Sequence, residues 1–181
     1  MAALLKMPES ALDAVLKEAC VTEVVSAANF NTPEQVVIAG HAGAVGRAME
    51  LAKAAGAKRA ILLQVSAPFH CALMSPAQEK MKAELDATEF RDLSVPLVNN
   101  WQAREVRTAA EAREGLYHQI PNPVRWTETM RVLSSLGVTR VIEAGAGAVL
   151  TGLARQIEGM EAVKFGEAGD WERVLAANER E

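Results

Sequence analysis

The stretch Arg59-Ala60-Ile61-Leu62-Leu63-Gln64-Val65-Ser66-Ala67-Pro68-Phe69-His70-Cys71 decides how this chain folds. Its first part, through Val65, is an apolar run of the length and composition of a buried strand. Its second part is a turn stiffened by Pro68 that carries a histidine, and a long helical segment follows. A side chain at the end of a strand, on such a turn, is held by rigid scaffold yet open to a cleft. Histidine ionises near neutrality and can take and return a proton there, so His70 suits a general base. Local sequence equally allows a structural histidine satisfied by the fold.

Working backwards from that strand, Val45, Ala48, Met49 and Ala52 recur at helical spacing from His41 to Gly56, a C-terminal cap. Before them Gln35-Val36-Val37-Ile38-Ala39 is an apolar strand, Asn29-Phe30-Asn31-Thr32-Pro33 has turn chemistry, and Val21 to Ala28 is a strand, which together make a hairpin. Pro8-Glu9-Ser10 opens a helix with Leu12, Val15, Leu16 and Ala19 on one face, and Ala2 to Leu5 is a first strand. The order β-α-β-β-α-β over residues 1–65 is that of a ferredoxin-like subdomain.

Working forwards, the pattern predicts a helix over Ala72 to Ala87, a short strand with a proline over Val95 to Asn100, and a polar helix over Thr108 to His118. Pro121 and Pro123 stop that helix, and a further one runs from Val124 to Leu136 before Gly137. Thr139 to Ala144 reads as a strand entering Gly145-Ala146-Gly147, followed by a helix over 148–158, a strand Glu161 to Phe165 and a helix over 170–178. Strands alternating with helices point to α/β architecture with parallel strands.

Composition narrows the function classes. Half of the 181 residues are hydrophobic, and the formal net charge is -4 with Lys and Arg scattered, so no basic footprint for nucleic acid is present. Two cysteines, Cys20 and Cys71, make neither a disulfide framework nor a metal set, and no metal or cofactor is expected. The cysteine usage points to a reducing, cytoplasmic setting, and no apolar run approaches the roughly 20 residues of a membrane span, so the expectation is a soluble chain without membrane partners. Gly40-His41-Ala42-Gly43 lacks the serine of a nucleophile elbow. Gly145-Ala146-Gly147 could offer N–H groups to an anion at a helix N-terminus, or serve tight strand-to-helix packing. Cys71 reads as a packed thiol, because adjacent side chains seldom aim at each other.

Five motifs in order carry a resemblance: Asn29-Phe30-Asn31-Thr32-Pro33-Glu34-Gln35-Val36-Val37-Ile38-Ala39-Gly40, Ser66 to Met74, Pro96-Leu97-Val98-Asn99-Asn100, Gln119-Ile120-Pro121-Asn122-Pro123-Val124-Arg125-Trp126, and Glu143 to Leu153. Together they resemble the C-terminal part of the malonyl-CoA:acyl carrier protein transacylases. The resemblance implies a ferredoxin-like βαββαβ subdomain over residues 1–65. It implies that residues 66–181 are the C-terminal part of an α/β-hydrolase-like acyltransferase core. The implied function is malonyl transfer from coenzyme A to acyl carrier protein in fatty acid biosynthesis, by a Ser/His ping-pong mechanism. His70 matches the catalytic base, and the backbone carbonyl of Gln119 is expected to orient its ring in place of a triad aspartate. Phe69 is expected to border the acyl pocket in the malonyl-selective manner. Asn29, Asn31 and Asn99 match positions that line the cleft or build it, as does Gln35.

The departures are as informative. The sequence contains no Gly-His-Ser-x-Gly and no Gly-Gln-Gly-Ser-Gln, and Gly-Pro-Gly-Lys of the family is replaced by Gly145-Ala146-Gly147-Ala148. The resemblance thus implies that serine, oxyanion donors and carboxylate-binding arginine belong to an N-terminal portion that this sequence lacks, and that this chain alone is inactive; a fragment, a misplaced start and a separately encoded N-terminal half that acts as partner stay open. The expected substrates are a coenzyme A thioester and phosphopantetheinylated acyl carrier protein. The alternative is a non-catalytic ferredoxin-like interaction or regulatory module derived from the enzyme.

Overall fold

The computed structural model describes residues 1–178, which are α/β and divide within one helix into two compact units, residues 1–129 and the residues from Met130 onward. The first unit is built on a four-stranded antiparallel sheet of β1 (Ala2–Leu5), β2 (Val25–Thr32), β3 (Gln35–Gly40) and β4 (Arg59–Leu62), in the order β2-β3-β1-β4. Between them run α1 (Glu9–Cys20) and α2 (Ala42–Ala54). Leu12, Val15 and Ala19 of α1, with Ala44, Val45, Ala48 and Ala52 of α2, face one side of the sheet and meet Leu4 and Ile38. Burying a side chain such as Leu4 or Ile38 fully contributes about 1.5–3 kcal/mol.

The strand period of two sends alternate residues to the other face, where Ala3, Ala28, Val37 and Ala39 enclose Cys71. Gly40 ends β3 where only glycine fits, since a Cβ there would lie 2.1 Å from the carbonyl oxygen of Val24.

Two strands differ from the sequence reading. β2 begins at Val25 rather than Val21, because α1 ends at Cys20 and Val21 turns the chain at a φ of 44°. Asn29 to Thr32 are strand rather than turn: bulges between Ala27 and Asn29 and between Phe30 and Thr32 absorb the unfavourable residues. The turn itself is only Pro33-Glu34, where the Glu34 amide donates to Thr32 Oγ1 at 3.2 Å. β4 stops at Leu62 rather than Val65, opposite Ala2, the first residue of its partner β1.

Beyond β4, a 3-10 turn Ala72–Met74 leads into α3 (Ser75–Ala87). A short hairpin pairs β5 (Leu97–Val98) with β6 (Glu105–Val106), a strand that the sequence pattern does not announce. Then come α4 (Ala109–His118) and α5 (Trp126–Ser135). In the second unit, β7 (Arg140–Ala144) and β8 (Glu161–Phe165) pair in parallel, with α6 (Val149–Ala154) between them and α7 (Asp170–Asn178) after them. α6 is shorter than the span 148–158 expected.

α4 is the polar helix of the first unit and depends on its ends. Thr108 Oγ1 accepts from the Glu111 amide, and the Glu111 carboxylate reaches back to the Thr108 amide, forming a capping box. The Arg104 guanidinium beside it, 2.8 Å away, then Thr108, hold the Glu111 carboxyl down from 4.5 to about 2. A carboxylate depressed in the folded state contributes stability that is complete above its unfolded value and is lost as pH falls through its folded value. Glu111→Gln should therefore lower the urea midpoint at neutral pH, and the gap from the parent chain should close as pH falls from 4.5 towards 2. A gap of constant size across that range would show that the charge contributes nothing.

Candidate functional site

The turn Pro68-Phe69-His70-Cys71 is anchored by its last residue. The Cys71 side chain is 1% exposed under the second face of the sheet, and its thiol donates to the Pro68 carbonyl at 3.1 Å. The small side chains Ala3, Ala28 and Ala39 are what let the turn approach so closely. Burial pushes the Cys71 thiol up, away from the thiolate that nucleophilic chemistry needs. His70 sits at a φ of 59°, a left-handed conformation that costs a non-glycine residue about 1–2 kcal/mol. Such strain persists where the surroundings over-determine it.

What the strained turn gains is a contact 49 residues away in sequence: His70 Nδ1 lies 3.0 Å from the carbonyl oxygen of Gln119. A carbonyl can only accept, so Nδ1 carries the proton and the neutral ring keeps its lone pair on Nε2. The carbonyl belongs to the C-terminal cap of α4, where helix carbonyls lack intrahelical partners. Its neighbours there are also engaged: Gln78 Nε2 of α3 donates to the Tyr117 carbonyl at 3.1 Å, and Asn122 Nδ2 to that of His118 at 2.7 Å. Trp101 stacks on the His118 ring with centroids 4.4 Å apart. The segment after α4 is tied to β2, where the Val124 amide donates to Ala28 and the Phe30 amide to Val124, at 2.8 and 2.9 Å.

The other residues singled out in the sequence fall in distinct settings. Asn29 and Asn31 are half-buried on β2, and neither side chain makes a hydrogen bond among the described residues. Asn99 spends its amide locally, its Oδ1 accepting from the Gln102 amide at 2.8 Å. It also borders, with Leu97, Leu116 and Gln119, a cavity of about 190 Å³. Phe69 is 41% exposed beside the histidine, and Gln35 is the first residue of β3 after the turn.

His41 is held structurally, its Nδ1 accepting from the Val24 amide at 3.0 Å. After Gly145-Ala146-Gly147, two N–H groups in the first turn of α6 are already used, because Glu143 accepts from the amides of Leu150 and Thr151 at 3.0 and 2.7 Å. The Thr151 side chain first, then the Thr151 amide, hold the Glu143 carboxyl below the usual range. Close packing is evident on the other side, where a Cβ on Gly166 would meet the Gly145 oxygen at 1.9 Å. Among the described residues no group of three His, Cys, Asp or Glu side chains is placed to hold a metal ion, and no helix is long and apolar enough to cross a membrane.

Gln78 was not among the sequence candidates, although a signal for it exists. It and Leu85, seven residues apart, are the buried residues of α3, so a glutamine occupies the apolar stripe.

No protein-family model matches the chain. It is 45% identical over 157 residues to the malonyl CoA-acyl carrier protein transacylase of Salmonella typhimurium, covering 87% of this chain and 51% of that protein. It is 46% identical over 160 residues to the protein of the same name from Bacillus subtilis, covering 87% and 50%. Among solved structures, an acyl carrier protein S-malonyltransferase from Vibrio cholerae matches with a TM-score of 0.91 at 40% identity, over 96% of this chain and 57% of that one. A malonyl-transacylase solved in complex with its type II PKS acyl-carrier protein matches with a TM-score of 0.93 at 40% identity, over 98% and 58%. The chain spans about half the length of the curated relatives it matches.

Thiol chemistry discriminates a packed Cys71 from a reactive one. With a chromogenic disulfide reagent, partly exposed Cys20 should react first and Cys71 only at the rate of opening, so that Cys71→Ala removes the slow phase alone. Fast modification of Cys71 would revive a Cys/His pair.

Proposed function

We propose, on the premise that this chain is a relative of the malonyl CoA-acyl carrier protein transacylases over about half their length, that it supplies the general base of a malonyl transfer from coenzyme A to acyl carrier protein. The observation that carries the reading is the His70 to Gln119 contact, which leaves Nε2 as the free basic atom of the ring. In this reading the nucleophile is the serine of the relatives' Gly-His-Ser-x-Gly, a motif that these 181 residues do not hold. The strand order β2-β3-β1-β4, all antiparallel, supports reading residues 1–65 as a ferredoxin-like subdomain. The parallel pair β7–β8 supports reading residues 66–181 as the C-terminal part of an α/β-hydrolase-like core. Two unpaired cysteines support a reducing, cytoplasmic setting.

In the reaction, Nε2 takes the serine proton as the serine oxygen attacks the malonyl thioester carbonyl. The C–S bond breaks, the proton passes to the departing coenzyme A sulfur, and a malonyl ester remains on serine. Nε2 then takes the proton of the incoming phosphopantetheine thiol, whose sulfur attacks the ester. The serine oxygen leaves and recovers the proton, so the ring ends as it began. The 3.0 Å bond to Gln119 would stabilise the imidazolium at both stages, as a carbonyl accepts from Nδ1–H in either charge state.

The test is a chimera in which the N-terminal portion of the Bacillus subtilis relative precedes Met1. It should form a malonyl ester detectable by intact mass and pass it to acyl carrier protein, whereas the 181 residues alone should form none. His70→Ala in the chimera should lower transfer about 100-fold or more. Unimpaired transfer in that variant would refute the assignment of the base, and an inactive chimera that is folded and binds acyl carrier protein would favour a non-catalytic interaction module.

Acyl choice should depend on Phe69, the exposed ring beside the base. A phenyl ring near the acyl α-carbon disfavours an added methyl, and one methyl of fit or clash is worth about 1–3 kcal/mol, or 10- to 200-fold. Phe69→Ser in the chimera should raise kcat/KM for methylmalonyl-CoA relative to malonyl-CoA. An unchanged ratio would place selectivity elsewhere.

A further inference from the structure

Three consecutive main-chain carbonyls at the end of α4 each accept a hydrogen bond from a side chain outside the helix, two of them from distant segments and one from four residues on. Gln78 Nε2 bonds Tyr117, Asn122 Nδ2 bonds His118, and His70 Nδ1 bonds Gln119. These are carbonyls that a helix leaves without partners, and water usually satisfies them. Here they are part-buried, and an unmet carbonyl in such a place costs about 1–3 kcal/mol.

We propose that Gln78 and Asn122 are positioning residues for His70, holding the exit of α4 so that the Gln119 oxygen stands in line with Nδ1–H. The inference rests on the reading of His70 as base and extends it to the residues that set its tautomer. The mechanism follows from peptide planarity. Fixing the His118 oxygen fixes the plane that contains the Gln119 nitrogen and Cα, and fixing the Tyr117 oxygen does the same one residue earlier. With both planes held, only the φ and ψ of Gln119 separate its carbonyl from the imidazole. Gln78 is suited to the task because it is 8% exposed on α3, a separate helix, so its amide ties α4 to a second rigid element. A glutamine placed there merely for solubility would face water.

A structural clamp and a positioning clamp are separated by Tyr117. Its hydroxyl also links α4 to α3, donating to Glu79 at 2.8 Å, but does so through the side chain and leaves the carbonyl alone.

The experiment uses the full chain labelled with 15N-histidine, whose three rings give three sets of signals. In the parent chain neutral His70 should be the Nδ1–H tautomer, whereas a free imidazole favours Nε2–H. Gln78→Met keeps the length and apolar contacts without the donor, and should shift His70 towards Nε2–H. Tyr117→Phe should leave the tautomer unchanged. In the chimera described above, Gln78→Met should lower kcat about 10- to 100-fold with KM for malonyl-CoA unchanged, the signature of a misaligned base rather than a lost binding contact. Retention of the Nδ1–H tautomer and of kcat in Gln78→Met would overturn the proposal, as would an equal disturbance from Tyr117→Phe. If Gln78→Met fails to fold, Asn122→Ala is read in the same two ways. A tautomer shift in the labelled chain together with an inactive chimera would leave the positioning intact while the transacylase reading falls.

Discussion

The hydrogen bond from His70 Nδ1 to the Gln119 carbonyl is the constraint on which the candidate site depends. Its net energy is modest, about 1 kcal/mol for an ordinary pair. That is comparable with the strain of a left-handed residue at the turn, so the bond does not stabilise the fold so much as hold a conformation the turn would otherwise leave. Both ends of the bond are prepared by other contacts. Cys71, buried under the alanines of the sheet, sets the turn; the capped end of α4 sets the carbonyl.

α4 shows why such a site is sensitive to its polar surroundings. The helix buries little apolar surface, with Gly115 its single buried residue. Its place is determined by the capping box at Thr108, by Asn99, whose amide nitrogen would stand 3.3 Å from a Cβ at residue 115, and by the side chains that cap its last carbonyls. Hydrophobic contacts tolerate sliding by fractions of an ångström, whereas hydrogen bonds lose strength steeply with angle. A helix that must present one carbonyl in one direction is better held by the second kind.

How much of this was legible in the sequence depended on whether a signal was carried by side chains. Helices α1 and α2 announced themselves through Leu12, Val15 and Ala19 and through Val45, Ala48 and Ala52, because a 3.6-residue period survives any tertiary context. Asn29 to Thr32 misled, since residues of turn composition were carried in a strand by two bulges and by pairing with Val124, contacts that no local pattern encodes. β6 was invisible because two residues are too few to show alternation. At the site, His70 stood out by chemistry, but the Gln119 oxygen is a main-chain atom, and every residue has one. It is legible only through a resemblance that spans the chain, and the partner of Gln78 only in the fold, where its amide meets the Tyr117 carbonyl.

The comparison of His70 with His41 shows what distinguishes a candidate base from a structural histidine when both follow a strand and precede a helix. His41 Nδ1 accepts from a backbone amide, so its lone pair is spent and its other nitrogen carries the proton. A neutral imidazole in that state has nothing with which to take a second proton unless it gives up the bond to Val24. His70 Nδ1 meets a carbonyl instead, which places the proton on the bonded nitrogen and the lone pair on the free one. Two histidines that each stand between a strand and a helix are thereby set in opposite tautomers by the sign of a single backbone partner, donor in one case and acceptor in the other. The chemistry available to each ring follows from that partner and not from exposure, since it is His41 that is the more exposed of the two.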